Sequence, residues 1–278
     1  MQYLYPNQDL TGYRQIVKVG EDLEFCGFEL IRLDAGKSFE SETLDEEAVL
    51  VILSGKCDIS VNKKEYTNLG VRKDVFSGNP TSVYVPVKSS FKIREAQGLF
   101  AEVAIVTAKA EKQFEPFIVM PEDVVCNNRG ILNYKRDVRD IIVANGEGKV
   151  HRIIVGETIN YPGHWSGYPS HKHDVYNPPY ETKMEEIYHF RIKPEGGFGV
   201  QVMYNEDLSL RKAYLIKDGD TVILPEGYHP IAAAPGFQVY YLWVMAGEHG
   251  RELLPREDSK LSWLNNVGPL IKYYNIIT

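Results

Sequence analysis

The sequence predicts an all-β protein built from two copies of one sandwich or barrel unit. Short runs rich in Val, Ile, Tyr and Phe recur along its 278 residues, separated by Gly, Pro, Asn and Asp. Long amphipathic helical patterns are scarce. The arrangement also repeats: "EEAVLVILSG" from Glu46 is followed by "GNPTSVYVP" ending at Pro86, and "EEIYHFRI" from Glu185 by "GDTVILPEGYH" ending at His229.

Taken in order, strands are expected within 48–55, 81–87, 101–108, 186–192, 197–204, 220–227 and 238–247. Helical turns are expected in "YKRDVRDIIVA" (134–144) and in "EDSKLSWLNNVGPLIKYY" (257–274), where apolar residues fall at helical spacing. Loop residues in "MPEDVVCNNRG" and "ANGEGK" put the join near 120–148, which divides the chain into units 1–140 and 141–278.

An apolar share of 44% with 12% aromatics is enough for a packed core, and a net charge of -7 removes any general attraction to phosphate backbones or anionic lipid. Nucleic acid and membrane are thereby excluded as partners, and a small molecule is expected. The opening "MQYLYPNQDLTGY" has no basic stretch followed by an apolar one, and no window approaches the roughly 20 apolar residues of a membrane span, so a cytoplasmic location is expected. Cys26, Cys57 and Cys126 are odd in number, far apart and outside any C-x-x-C pair, as expected of reduced thiols.

The chemistry concentrates after residue 150, because all seven histidines lie there. In "YPSHKHD" the side chains of His171 and His173 share one face of a strand, with Lys172 on the other. Such a pair alone also fits two hydrogen-bonded histidines. "KMEEIYHF" then adds a carboxylate, and "GDTVILPEGYH" adds Gly219 for a turn, a strand, Pro225 and Gly227 for a second turn, and His229. Three histidines and one carboxylate suit Zn, Mn, Fe or Ni. Strand parity selects the carboxylate: Glu186 is in phase with Tyr188, Phe190 and Ile192, a barrel-filling series, whereas Glu185 is in phase with Ile187, His189 and Arg191, suited to the outside or a rim.

The order H-x-H, E, then G-x5-P-x-G-x-H resembles the two motifs of the cupin superfamily, which implies two tandem double-stranded β-helix, or jelly-roll, domains. Only the second copy carries ligands, since Ser90 stands at the place of His229 counted from Pro86 and no histidine precedes Glu47. Longer stretches, "RKDVFSGNPTSVYVP" (72–86), "AEVAIVTA" (101–108), "RDVRDI" (136–141), "VGETINYPGHWSGYPSHKHD" (155–174) and "EEIYHFRIKPEGGFGVQVMY" (185–204), resemble the 5-deoxy-glucuronate isomerase family, bicupin enzymes of inositol catabolism. The tail "NNVGPLIKYYNIIT" does not share that resemblance.

The resemblance implies conversion of the uronic acid 5-deoxy-D-glucuronate to 5-dehydro-2-deoxy-D-gluconate through an enediol. It also implies one divalent metal on His171, His173, Glu186 and His229. Zinc or manganese serves, since the reaction is redox-neutral. Sequence proximity makes Asp174, Glu185 and Tyr188 the acid-base candidates, each with a plain reading as turn residue, outward charge or barrel filling. Arg152, Lys183 and Arg191 are the candidates for holding the substrate carboxylate, or else are solvated charges. His151, His164, His189 and His249 are read as structural, and "HWSGYP" either as a lid carrying Trp165 and Tyr168 or as a loop on the barrel wall. The alternatives are the sister isomerase acting on 4-deoxy-5-hexosulose uronate, an Fe(II) cupin dioxygenase and a non-catalytic sugar-binding cupin. A homo-oligomer stays open.

Overall fold

Two large antiparallel sheets stand back to back, each closed into a jelly roll by a smaller sheet. A computed structural model describes residues 1–8 and 12–274, so the last four residues of the tail lie outside the described ones. The first large sheet runs in the order Phe117–Val119, Ser82–Val85, Glu46–Gly55, Phe100–Lys109, Cys26–Asp34 and Gly12–Val17. The second runs Leu4–Tyr5, Thr221–Leu224, Glu185–Lys193, Gln238–Ala246, Ile154–Asn160, Arg136–Ile142 and Val125–Arg129. All seven expected strands form, and the repeat read from the sequence is this shared strand order.

The halves interlock. Leu4–Tyr5, from the start of the chain, pairs with Thr221–Leu224 where the first half uses its own Phe117–Val119 against Ser82–Val85. The described strands from Val125 onward belong to the second large sheet or to the smaller sheets of the second half, and none to the first large sheet.

Alternation with period two explains the near-continuous apolar run of Glu46–Gly55, because both faces of that strand are buried. Val49, Val51 and Leu53 join Phe28, Ile187 and Val244 in the core between the sheets. Ala48, Leu50 and Ile52 join Val83, Ile93 and Ile105 inside the first barrel. Polar ties cross the same interface: buried Arg72 of the first half meets Glu157 of the second at 2.9 Å, and Tyr240 and Arg139 also reach that carboxylate.

The expected helical turn at 134–144 is corrected. Apart from 3-10 segments touching its two ends, Leu132–Tyr134 and Ala144–Gly146, this stretch is the strand Arg136–Ile142, because pairing on both sides, with Val125–Arg129 and Ile154–Asn160, outweighs its helical spacing. The other expected helix forms, as Ser262–Asn266 and Val267–Tyr274. Cys26, Cys57 and Cys126 are free thiols, and no helix among the described residues is long and apolar enough to cross a membrane.

Candidate metal centre

Three imidazoles meet on the inner wall of the second barrel. His171 comes from the short strand His171–Lys172, His173 from the residue after Lys172 leaves that pairing, and His229 from the turn after Thr221–Leu224. Their ligand nitrogens all lie within 4.8 Å of one another.

Second contacts orient two of the rings. Nδ1 of His173 donates to the Met184 carbonyl at 2.8 Å and Nδ1 of His229 to the Gly227 carbonyl at 2.8 Å, which turns both Nε2 atoms inward. Glu186 Oε2 lies 3.2 Å from each of those Nε2 atoms. The contact to His229 is a charge contact and not an aligned hydrogen bond, which leaves its buried Nε2 without a hydrogen bond among the described residues. Inward-facing nitrogens, an orphaned one among them, beside a buried carboxylate fit a divalent cation.

Lys172, between the two histidines, points the other way into a buried pair with Glu181 at 2.9 Å. Asp174 receives the Gly227 N–H at 2.7 Å, tying the H-x-H segment to the turn that carries His229. Gly227 is needed in that turn, with φ of 83° and the Tyr204 carbonyl 2.9 Å from where a Cβ would stand.

Charge is unevenly held. Burial would raise the Glu186 carboxyl, but the contacts and charges of His173 and His229 bring it down to about 2. Burial, then the neighbouring His229 and His173, depress His171 to about 3. For His173 burial works against the charged form, yet Glu186 outweighs it and raises the pKa.

The centre opens on a cavity of about 430 Å³ walled by Tyr188, Tyr241, Trp243 and Thr158 and flanked by Arg136 and Arg129. A model of the KduI/IolB family matches residues 4–264. The chain belongs to the KduI/IolB family. A 5-deoxy-glucuronate isomerase of Geobacillus thermodenitrificans is 38% identical over 225 residues, covering 81% of each chain. One of Bacillus subtilis strain 168 is 32% identical over 234 residues, or 84% of this chain and 85% of that one. The crystal structure of an IolB-like protein from Salmonella typhimurium LT2 superposes with a TM-score of 0.89 at 28% identity, over 95% of this chain and all 100% of the other. Oxalate decarboxylase from Lactobacillus farciminis shares the fold, with a TM-score of 0.65 at 11% identity over 100% of this chain and 94% of that one. The all-β cupin architecture expected from the sequence is thus established, and the KduI/IolB match stops short of the helix Val267–Tyr274.

Within this KduI/IolB cavity the expected site residues separate. His171, His173, Glu186 and Tyr188 line it, and His229 completes the imidazole cluster. Burial first, then the Glu186 charge, holds the Tyr188 phenol well above its ordinary value. Glu185 is turned away: its carboxylate receives the backbone N–H groups of Glu24, Phe25 and Cys26, because its parity faces the first half. Asp174 is a turn tie outside the cavity.

The three cations chosen by sequence proximity are also elsewhere. Arg152 pairs with Glu111 at 3.3 Å and donates to the Lys109 carbonyl, Lys183 is exposed, and Arg191 binds Glu102 at 2.8 Å in a separate cleft between the halves. Arg136 and Arg129 stand at the cavity instead. The stretch "RDVRDI" that carries Arg136 also carries the family resemblance, and reading it as helix concealed which of its residues share a face, while Arg129 falls in the stretch read as loop.

His151, His164 and His249 lie outside the cluster, accepting the Glu111 and Lys135 N–H groups and stacking on Tyr176 respectively. His189 faces the first half and stacks on Phe28. "HWSGYP" is wall rather than lid: Trp165–Ser166 pairs with Ile231–Ala233, and Gly167 forms part of the cavity.

Proposed function

We propose that the chain is an aldose–ketose isomerase that converts 5-deoxy-D-glucuronate to 5-dehydro-2-deoxy-D-gluconate, with His171, His173, Glu186 and His229 holding one divalent ion, zinc or manganese. The observation that carries the reading is the convergence of three imidazole nitrogens and one ionised carboxylate on a cavity of substrate size. Relatives that carry the isomerase name support it, and favour it over the sister isomerase and the dioxygenase.

The reaction consumes no oxidant: one proton passes from the carbon bearing the hydroxyl to the aldehyde carbon, and one from that hydroxyl to the aldehyde oxygen. A bound divalent ion supplies a Lewis acid for the negative charge that develops on oxygen. Tyr188, held as a phenol, serves as a hydrogen-bond and proton donor to a substrate oxygen. Tyr241 and Trp243 keep water from the reacting carbons. The first unit serves the fold, with Ala48, Leu50 and Ile52 filling its interior, and sheet membership supports a join ahead of Val125 rather than at 140.

Metal analysis of the purified protein and a proton NMR time course on both uronic substrates test this reading. One equivalent of divalent metal and ketose formed from 5-deoxy-D-glucuronate are expected. A metal-loaded protein that turns over only 4-deoxy-5-hexosulose uronate, or neither compound, would overturn it.

A further inference from the structure

Arg136 and Arg129 lie directly opposite each other on adjacent strands, and both border the cavity of the metal centre. Like charges facing each other in this way are destabilising unless a negative group offsets them.

Five other arginines packed against the protein have carboxylate partners: Arg72 and Arg139 share Glu157, Arg152 has Glu111, Arg191 has Glu102, and Arg251 has Glu147. Arg136 has none among the described residues. Its Nη1 donates to the carbonyls of Tyr134 at 3.2 Å and Tyr168 at 3.1 Å, which anchors one edge of the guanidinium and leaves Nε and Nη2 without a hydrogen bond to the described residues. None of the cavity's carboxylates pairs with Arg136: Asp140, which feels the Arg129 charge, accepts from Asn127 at 3.1 Å, Glu257 accepts from Asn265 at 2.7 Å, and Glu186 faces the imidazoles. Arg136 is also close enough to the centre for its charge to act on His171 and Tyr188.

We infer that Arg136, seconded by Arg129, is the receptor for the carboxylate of the substrate, and so selects uronic over neutral sugars. The inference deepens the isomerase reading and rests on it for the identity of the sugar. An anchored guanidinium presents its free N–H groups as a fixed fork matched to a carboxylate, and the second cation opposite makes the empty receptor unfavourable and the filled one neutralised. A ligand whose other end reaches the histidines is thereby oriented with its aldehyde end at the centre and its acid end at the arginines. Both arginines are specificity residues in this assignment.

The test uses the metal-loaded full chain with D-glucuronate and D-glucose as calorimetric probes, alongside turnover of 5-deoxy-D-glucuronate. The wild type should prefer D-glucuronate, and Arg136→Met should weaken that binding by about 10- to 100-fold while leaving D-glucose binding and the melting temperature unchanged. Arg136→Lys should recover part of the loss, and Arg129→Met should give a smaller loss. Wild-type protein without preference for the acid overturns the inference, as does an Arg136→Met variant that keeps it or loses both sugars equally. If the preference and its dependence on Arg136 hold while no ketose forms, the receptor stands and the isomerase reading falls.

Discussion

Glu47 and Glu185 occupy the same register in the two halves, and each carboxylate receives three consecutive backbone N–H groups from the opposite half. Glu47 binds those of His151, Arg152 and Ile153 at 2.6 to 2.8 Å, just ahead of the strand Ile154–Asn160. Glu185 binds those of Glu24, Phe25 and Cys26 where the equivalent strand Cys26–Asp34 begins. Ala48 opposite Val85 therefore matches Glu186 opposite Leu224, so the counterpart of Glu186 in the first barrel is Ala48 and not Glu47.

These paired ties predict a stability effect without a metal effect. Glu47→Gln should cost about 3 kcal/mol and Glu185→Gln about 1 to 2 kcal/mol, since the amide leaves buried donors poorly satisfied. Denaturant titration measures both, and bound metal should stay at the wild-type level in Glu185→Gln.

Glu186→Gln should do the reverse. Removing the anionic ligand should lower metal affinity at least as far as loss of an outer-shell partner does, about 10- to 100-fold, with activity falling alongside. Metal retained by Glu186→Gln and lost by Glu185→Gln would mean that the inward face has been assigned one residue out of register.

Turnover in heavy water should place solvent deuterium on the carbon that was the aldehyde, where an enediol route lets the moving proton exchange with solvent. Full retention of the original hydrogen there, read by NMR, would point to a shielded proton transfer or a hydride shift instead.

Acid should weaken the interface through His189. Burial, then the Arg191 and Arg14 charges, lowers this imidazole from 6.5 to about 3. The unfolded chain takes up the proton near 6.5 and the folded chain only near 3, so the stability is complete above 6.5 and is lost as pH falls toward 3. Between about pH 7.5 and about pH 5 the wild type should lose about 2 kcal/mol more than His189→Asn in urea titrations, at roughly 1.4 kcal/mol per pH unit below 6.5. Equal losses would remove His189 from the account.

What the sequence by itself determined follows from short-range rules. Side chains two apart on a strand share a face, so the alternation after Glu186 and the spacing of His171 and His173 were enough to bring these candidate ligands to one wall, and the turn residues Pro225 and Gly227 announced where His229 would join them. The repeated strand pattern was equally local, and it carried the two-barrel architecture. The tertiary structure decided which charges face that wall. Arg152, Lys183 and Arg191 are near the ligands in sequence, yet the back-to-back packing of the sheets turns Arg152 and Arg191 toward the first half. Arg136 reaches the cavity only because its segment is drawn into the sheet beside Ile154–Asn160, and Arg129 because Val125–Arg129 pairs in turn with that segment, although Val138, Ile141 and Ile142 are spaced for a helix as well. Pairing between strands distant in the chain supplies hydrogen bonds that a local pattern does not contain, and that pairing settles which face each arginine presents.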